Sequence, residues 1–238
     1  MESRKGAGEG VSPPEGATDA VPMGNQGSAH RPRIGLMGGS FDPVHAGHLH
    51  VARAAMERAG LEEVLFVPAA RPPHKPDRVL TPGADRLALL EAALVDREGM
   101  RLVDLELDRE GPSYTWDTVL SLEELLGGTD AVELHLILGG DNLPGLGSWR
   151  EVERLLERVT PLVVHRDEEL EDALSRVGGE LPTHLLEKLR SGLIVVPPHA
   201  ASSTDLREQL ARGEDPGADL PAGCMDIVRA RGLYGWSG

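Results

Sequence analysis

Short apolar segments alternate with segments of helical periodicity along most of this 238-residue chain. Runs such as Arg33 to Met37 and Glu133 to Leu138 have the length of one buried strand, whereas Gly83 to Arg97 repeats leucine and alanine at helical spacing. Strands that alternate with helices predict one parallel sheet with helices on both faces and right-handed crossovers. We therefore expect an α/β fold, a doubly wound parallel sheet in a single domain over residues 33–238.

The other predicted elements continue this alternation. Because parallel strands all end at the same edge of a sheet, the loops that follow them are expected to lie together. The predicted strands are Glu63 to Val67, Arg101 to Leu105, Leu162 to His165 and Leu193 to Val196, and the predicted helices are Leu49 to Ala59, Thr115 to Leu126 with Ser113 or Thr115 as its cap, Trp149 to Arg158, Glu168 to Val177, Pro182 to Arg190, Ser202 to Arg212 and Ala222 to Arg231.

Residues 1–32 differ in composition from the rest of the chain. They are rich in Gly, Pro, Ala and Ser, hold almost no large apolar side chains and show no periodicity. We expect them to form a disordered N-terminal tail. Arg4 and Lys5 are not followed by the continuous apolar segment of a secretory signal, so the sequence does not predict secretion.

The net charge and the single cysteine limit the partners and the compartment. A formal net charge of −15 argues against a nucleic-acid surface or an anionic membrane as partner, because such binding needs clustered Lys and Arg. Cys224 alone cannot form an internal disulfide, and no apolar run approaches the roughly 20 residues that a membrane span needs. We expect a soluble, cytoplasmic protein in which any site for a small anion is local.

Residues 38–49, Gly-Gly-Ser-Phe-Asp-Pro-Val-His-Ala-Gly-His-Leu, join the first predicted strand to the first predicted helix. Gly38 and Gly39 let the backbone approach a ligand closely, and the helix start beyond them offers unpaired N–H groups to an anion. His45 and His48 are three residues apart, so they lie on one face of the first turn and can both donate hydrogen bonds to phosphate. The segment predicts a phosphate site at the carboxyl end of a strand.

Two alternatives for these histidines stay open. A zinc site is one, but no carboxylate or cysteine lies nearby at helical spacing, and His50 faces another direction. Solvated histidines in a Gly-rich turn are the other, and that reading suits a single histidine better than the whole segment. No metal-ligating residue is predicted.

The segment from Gly39 to His48 resembles the nucleotidyltransferase superfamily that carries a His-x-Gly-His motif, in particular the bacterial nicotinate-nucleotide adenylyltransferases. Pantetheine-phosphate adenylyltransferases usually have Thr for the first His, and cytidylyltransferases differ in the residues before it. The resemblance implies a Rossmann-like nucleotidyltransferase fold. It also implies that ATP contacts Gly38, Gly39, Ser40, Phe41, His45 and His48, and that the mononucleotide contacts Ser40 and Phe41.

Two loops extend the resemblance toward the mononucleotide. Pro72-Pro-His-Lys75 resembles a family loop in which Lys75 is expected near the mononucleotide phosphate, although a solvated lysine in an irregular loop is the alternative. Residues 111–118, Gly-Pro-Ser-Tyr-Thr-Trp-Asp-Thr, are similar to a family segment that meets nicotinate, so Tyr114, Thr115 and Trp116 are expected to bind the mononucleotide. A capped helix with buried aromatics is the alternative, but it leaves this concentration unexplained in a chain with three Trp, two Tyr and two Phe.

The segment Gly139-Gly-Asp141, with Trp149 eight residues later, is similar to the family pattern of Gly-x-Asp followed by Trp. The resemblance implies that Gly139 and Asp141 bind ATP. Trp149 is expected to bind the mononucleotide, because an indole can stack on a pyridinium ring.

Ser202 to Arg207 is similar to the family's Ile-Ser-Ser-Thr-x-Ile-Arg segment, in which Ser203, Thr204 and Arg207 are expected to hold ATP phosphates. Without the resemblance it would be an ordinary helix cap. Ala201 stands where the family usually has a branched apolar residue, which affects how the helix is seated more than the chemistry.

The resemblance as a whole implies transfer of AMP from ATP to nicotinate mononucleotide, giving nicotinate adenine dinucleotide (deamido-NAD) and pyrophosphate in NAD biosynthesis. His45, His48 and Arg207 are the expected catalytic residues, and Mg²⁺ is the expected cofactor, bound mainly through ATP phosphates. The alternatives are a related nucleotidyltransferase acting on nicotinamide mononucleotide or pantetheine phosphate, and a non-catalytic nucleotide-binding module, which would be expected to lose a His or the final Arg. The oligomeric state, including a homo-oligomer, is left open.

Overall fold

The computed structural model describes residues 30–73, 79–165, 174, 177 and 179–238. Six parallel strands form one sheet in the order β3-β2-β1-β4-β5-β6. The strands are β1 (Arg33–Gly39), β2 (Glu63–Pro68), β3 (Met100–Leu102), β4 (Glu133–Gly139), β5 (Thr160–His165) and β6 (Leu193–Val195).

Helices connect successive strands. The α-helices of the described residues are α1 (Ala46–Ala59), α2 (Gly83–Leu94), α3 (Thr115–Leu125), α4 (Val152–Arg158), α5 (Thr183–Ser191), α6 (Ser203–Ala211) and α7 (Cys224–Arg231), and 3₁₀ segments cover Gly140–Ser148, Gly217–Asp219 and Leu233–Gly235. Among the residues described here, no helix is long and apolar enough to cross a membrane.

The helices cover both faces of the sheet, which confirms the predicted doubly wound α/β fold. Side chains of successive strand residues point to opposite faces, so Leu65 packs into one hydrophobic cluster while Val64 and Phe66 pack into the other. Apolar residues of α3, α4 and α5 belong to the first cluster, and those of α1, α2, α6 and α7 belong to the second. Burial on both faces explains why the strands are nearly continuous apolar runs.

The strand order places a crevice beside β1. The chain leaves β1 toward β2 on one side and returns to β4 on the other, so the direction of winding reverses between β1 and β4. In open α/β sheets ligands bind outside the carboxyl ends of the strands at such a point. The ends of β1 and β4 therefore lie on the two sides of this crevice, next to the phosphate site that the sequence predicts after β1.

Some predicted boundaries and caps were wrong, and β3 ends at Leu102 rather than at Leu105. The cap of α3 is Tyr114, with no side-chain capping bond, rather than Ser113 or Thr115. Trp149 does not open a helix, because the 3₁₀ segment precedes it and α4 begins at Val152, after Glu151 in a left-handed conformation (φ 53°). The predicted helix over 168–177 lies largely outside the described residues.

The folded unit runs from Arg31 to Gly238. It therefore includes Arg31 and Pro32, which the sequence analysis assigned to the tail. The Pro32 carbonyl accepts a hydrogen bond from the N–H of Glu133 at 2.9 Å. Nη2 of Arg31 donates to carbonyl oxygens of Thr129 and Val132, at 2.7 and 2.6 Å. Residues 1–29 lie outside the described residues, so their disorder stays a prediction.

Candidate active site

His45 and His48 lie together at the N-terminus of α1. His45 is the N-cap residue and His48 the third helical residue, and their ring centroids are 3.7 Å apart. The backbone N–H of His45 donates to Nδ1 of His48 at 3.2 Å. Because Nδ1 accepts this bond, a neutral His48 ring carries its proton on Nε2, which makes Nε2 the donor.

Gly47, one residue before His48, occupies a position where a larger residue would not fit. A Cβ atom at this position would lie 2.9 Å from Nδ1 of His45 and 3.2 Å from the carbonyl oxygen of Ala201. Both distances are shorter than ordinary contacts, and the second partner is backbone. The glycine therefore lets α1 pack closely against the segment that leads into α6.

The start of α6 lies against the turn that follows β1. The Ser203 hydroxyl donates to the Pro43 carbonyl at 2.9 Å, and Nη1 of Arg207 donates to the Asp42 carbonyl at 2.6 Å. Nη2 of Arg207 donates to the Thr204 hydroxyl at 3.2 Å. The structure thus brings Ser203, Thr204 and Arg207 to the same turn as the two histidines, and two helix N-termini converge there.

The predicted helix cap of α6 is present. The Ser202 hydroxyl accepts a hydrogen bond from the N–H of Asp205 at 3.2 Å. Ala201 is 3% exposed and Leu206 is 1% exposed, so the smaller residue at 201 still lies in a packed environment. The departure from the family pattern at Ala201 does not prevent the helix from seating against the turn.

Gly38 and Gly39 end β1, and Ser40 and Phe41 begin the turn that leads to α1. Phe41 has a positive φ of 45° and is 1% exposed, and its ring lies edge-on to His48 with centroids 5.0 Å apart. The Phe41 side chain therefore supports the His48 ring, and only its backbone lies in the turn. Gly38, Gly39 and Ser40 are at least partly exposed beside it.

Gly139 and Asp141 lie at the carboxyl end of β4, next to the same crevice. Asp141 is exposed, and the side-chain amide of Asn142 donates to the Gly139 carbonyl at 3.4 Å. A Cβ atom at Gly140 would lie 2.3 Å from Nδ1 of His165, so glycine is needed where β4 and β5 end side by side.

A cleft of about 520 Å³ opens between the loop after β2 and the start of α3. Tyr114 lines it, and the Arg150 guanidinium lies over the Tyr114 ring at 5.0 Å while Nη1 bonds to Asp117 at 3.1 Å. Thr115, the first residue of α3, adjoins Tyr114 and is partly buried. The lining residues are Ala70, Arg71, Pro72, Pro73, Leu80, Thr81, Pro82, Gly83, Arg86, Pro112 and Tyr114.

The predicted aromatic cluster is divided. Trp116 is 7% exposed, packs in the core with the apolar face of α3, and is covered by Arg154 at 4.8 Å. Trp116 packs with Val119 and Leu122 on the core side of α3, whereas Tyr114, the extended N-cap residue, lines the cleft. Trp149 is partly buried against the same core cluster and is not among the residues that line the cleft. Lys75 lies outside the described residues.

Arg86 is a residue of this region that the sequence analysis missed. It is 2% exposed, and it donates from Nε to the Thr81 carbonyl at 2.9 Å and from Nη1 to the Ser40 carbonyl at 2.7 Å. Burial lowers the pKa of Arg86, and the negative charge of Asp42 opposes that shift. Arg86 therefore joins the turn after β1 to the wall of the cleft. A signal was present in the sequence, since Arg86 occupies the same helical face as Leu89, Leu90 and Ala93.

Within the residues the structure describes, no group of three or more His, Cys, Asp or Glu side chains is arranged to hold a metal ion. Asp42 is 2% exposed and faces Arg86, so its carboxylate is turned into the protein. The donors at the crevice are ring nitrogens, hydroxyls and a guanidinium, which suit phosphate oxygens.

A parallel sheet with two helix N-termini at its switch point is typical of nucleotide-binding folds, and comparison with known families identifies it as a nucleotidyltransferase fold. The model of the cytidylyltransferase-like family matches residues 36–209. The chain belongs to that family.

Curated relatives narrow the family to nicotinate-nucleotide adenylyltransferases, to which this chain belongs. Proteins named as probable nicotinate-nucleotide adenylyltransferases are 32% identical in Dehalococcoides mccartyi, 35% in Neisseria meningitidis serogroup B and 39% in Gloeobacter violaceus. Each alignment covers 85% of this chain and 96 to 98% of the relative.

Solved structures agree on the fold. Plasmodium falciparum nicotinic acid mononucleotide adenylyltransferase complexed with NaAD has a TM-score of 0.66 at 20% identity, over 87% of this chain and 99% of the other. A structure described as a nicotinate-nucleotide adenylyltransferase from Vibrio parahaemolyticus has a TM-score of 0.60 at 17% identity, over 87% of this chain and 97% of the other.

Proposed function

We propose that this protein transfers the adenylyl group of ATP to nicotinate mononucleotide, giving nicotinate adenine dinucleotide and pyrophosphate in NAD biosynthesis. The observation that carries the proposal is the convergence of α1 and α6 on one turn, with His45, His48 and Arg207 around it. The relatives named for this activity, and the solved structures described with NaAD and with APC, support it.

The reaction is one displacement at phosphorus. A phosphate oxygen of the mononucleotide forms a bond to the α-phosphorus of ATP while the bond from that phosphorus to the bridging oxygen breaks, and the electron pair leaves with pyrophosphate. The attacking phosphate is already ionised at neutral pH, so no side chain has to remove a proton. The protein therefore acts by positioning the two substrates and by stabilising charge.

The proposed roles follow from where the donors lie. His45 and His48 would hold α- and β-phosphate oxygens, while Ser203, Thr204 and Arg207 would hold the departing pyrophosphate together with the N–H groups of α6. Backbone of residues 38–40 and the end of β4 with Asp141 would position the rest of ATP. The cleft beside Tyr114 would receive the mononucleotide, with Thr115, Lys75 and Trp149 as further contacts.

Mg²⁺ is proposed as the cofactor. The crevice presents few oxygen ligands from side chains, which suits an ion that keeps several waters and binds substrate phosphates. When bound, Mg²⁺ would neutralise charge on the phosphate oxygens. The cytoplasmic location expected from the sequence stays a prediction.

A pyrophosphate-release assay tests the proposal. ATP is offered with nicotinate mononucleotide, nicotinamide mononucleotide or pantetheine phosphate in separate reactions, and the dinucleotide product is identified by mass. We expect kcat/KM to be highest for nicotinate mononucleotide. Higher kcat/KM for either other acceptor would replace the proposed substrate, and no turnover with any of them would contradict the proposed activity.

A further inference from the structure

Glu106 is a buried carboxylate beside the cleft. It lies between β3 and α3 and is 5% exposed. The Thr118 hydroxyl donates to its Oε1, the Ser113 hydroxyl faces the same carboxylate, and the charge of Arg109 is nearby. Burial raises the pKa of Glu106, and these three groups oppose that shift by favouring the ionised form. Neither the reaction nor the predicted site uses this residue.

Ser113 connects this carboxylate to the loop after β2. Its hydroxyl oxygen accepts hydrogen bonds from the N–H groups of Ala70 at 3.0 Å and Arg71 at 3.2 Å. Its own N–H donates to the Arg71 carbonyl at 2.9 Å. A serine hydroxyl has two acceptor lone pairs and one donor proton. Because both lone pairs are used, the proton is directed to Glu106, which must act as an acceptor.

The two segments that Ser113 joins form facing parts of the cleft. Ala70 and Arg71 line it from the loop after β2, and Pro112 and Tyr114 line it from the start of α3. Ser113 is 8% exposed and lies between the last two residues. Its hydrogen bonds therefore fix the distance between the two walls.

Thr118 extends the same connection along α3. Its N–H donates to the Tyr114 carbonyl at 3.2 Å, and its hydroxyl accepts from Nη1 of Arg109 at 3.3 Å while donating to Glu106. The first turn of α3, which carries Tyr114, is thus held to the carboxylate independently of Ser113.

We propose that Glu106 is a positioning residue that sets the width of the mononucleotide cleft by holding Ser113 and Thr118. The inference rests on the proposed function, because it assigns the cleft to nicotinate mononucleotide. Glu106 itself does not touch the substrate. Its loss should weaken mononucleotide binding and leave the ATP site, on the turn after β1, unchanged.

The test is Glu106→Gln in the full chain, assayed with both substrates. Glutamine keeps one acceptor oxygen but replaces the other with an N–H₂ donor, and the Ser113 oxygen has no lone pair left to receive it. We expect KM for nicotinate mononucleotide to rise roughly tenfold, the size of one lost hydrogen bond to a charged group. KM for ATP and kcat should stay within about twofold of wild type, because no ATP contact depends on this carboxylate.

Glu123→Gln is the matched control. Glu123 is also a buried glutamate, 6% exposed, and it lies on α3, where it accepts from Nε of Arg158 at 2.6 Å away from the cleft. Its substitution should lower the melting temperature while both KM values stay at wild type. If Glu106→Gln shows only that behaviour, Glu106 is structural and the inference is overturned.

Ser113→Ala provides a second test that removes a small group and is independent of how well Glu106→Gln folds. It should raise the mononucleotide KM selectively, and the double variant should raise it by less than the product of the two single effects, because both single variants lose the Ser113–Glu106 hydrogen bond. Additive effects, or an unchanged KM in Ser113→Ala, would overturn the inference. If the proposed function is wrong, the wild-type protein will not use nicotinate mononucleotide in the pyrophosphate-release assay. That result is seen before any variant is compared, so it is not confused with a failure of this inference.

Discussion

At the scale of single residues, the histidine pair is set by local geometry. His48 is held by a backbone N–H on one side and by the buried Phe41 ring on the other, so its orientation is fixed before any ligand binds. Gly47 leaves the space that the His45 ring occupies. Preorganised donors of this kind stabilise a charged transition state without a reorganisation cost during the reaction.

His48→Ala is expected to lower kcat by roughly a hundredfold or more, the scale seen when one preorganised donor is removed. Folding should survive, because His48 is only partly buried. Steady-state rates with ATP and nicotinate mononucleotide measure the effect. His50→Ala is the control, since His50 lies two residues further along α1 with Nε2 3.2 Å from the Pro197 carbonyl. Near wild-type turnover in His48→Ala would refute the proposed role of the pair.

At the scale of elements, the sequence predicts the strands and helices whose apolar residues recur periodically. It does not predict features that depend on contacts between distant segments. The presence of each strand and most helix bounds follow from apolar periodicity, although β3 ends at Leu102 and not at Leu105, and the α6 cap follows from Ser202 itself. The start of α3 at Thr115 was predicted correctly, but its cap was not, because Ser113, a good capping residue, bonds instead to Ala70 and Arg71, more than 40 residues away. Propensity describes only local competition, and here a tertiary contact decided the outcome.

The candidate site shows the same division between local pattern and distant contact. His45 and His48 could be found from their spacing at a helix start, whereas Ser203 and Arg207 were expected from the resemblance of their segment to the family. Trp116 was expected to bind the mononucleotide together with its neighbours Tyr114 and Thr115, but it lies on the side of α3 that packs into the core. Arg86 stands out in the sequence as an arginine on the apolar face of α2, but the pattern does not identify its distant partner, the Ser40 carbonyl. Glu106 could not be recognised, because its partners Ser113 and Thr118 are brought to it by tertiary packing.

The segment between β4 and α4 carries the next prediction. Trp149 ends the 3₁₀ stretch partly exposed, and its neighbour Arg150 lies over the Tyr114 ring that lines the cleft. If the indole stacks on the pyridine ring, Trp149→Ala should raise KM for nicotinate mononucleotide between about twofold and thirtyfold, the range of one such contact. KM for ATP should change little. Steady-state kinetics and melting temperatures measure both effects.

Trp116→Ala is the matched comparison for Trp149→Ala. Loss of this core indole should cost about 3 to 5 kcal/mol of stability, because it leaves a cavity. Its KM values should not separate the two substrates. A Trp149→Ala protein that loses as much stability as Trp116→Ala, with no selective change in KM for the mononucleotide, would show that Trp149 is a core residue.

At the scale of the whole molecule, both ends of the folded unit contribute to its organisation. Tyr234, near the C-terminus, is partly buried with its hydroxyl facing Asp42 and Thr81, and burial of the hydroxyl raises its pKa above the usual value. The last residues therefore pack beneath the turn that carries the histidines. Arg31 and Pro32 at the other end bond to the residues just before β4 and to its first residue.

Cys224 should report global unfolding. It is fully buried on α7, its thiol donates to the Leu89 carbonyl at 3.3 Å, and burial raises its pKa from 9.0 to about 12. We expect a thiol reagent at pH 8 to label none of the native protein quickly and one thiol per chain in denaturant. Because the pKa of this thiol is higher in the folded state than in the unfolded state, its protonation adds to the free energy of unfolding. That gain is fully present below pH 9 and is lost as pH rises toward about 12. Rapid labelling of native protein would contradict the burial.

Two N-terminal truncations test where the folded unit begins. Residues 1–29 lack the apolar content to bury against a domain, so a protein starting at His30 should keep the wild-type melting temperature, kcat and KM values. A protein starting at Arg33 also loses the Arg31 side-chain bonds to Thr129 and Val132 and the Pro32 carbonyl bond to Glu133. Each hydrogen bond contributes about 0.5 to 1.5 kcal/mol to the free energy of unfolding, so the shorter protein should melt several degrees lower. Its KM values should stay unchanged, because these contacts lie at the opposite end of the strands from the crevice. Thermal melts and steady-state kinetics of both proteins measure this difference. Loss of stability or activity in the protein that starts at His30 would show that the preceding residues are part of the working structure.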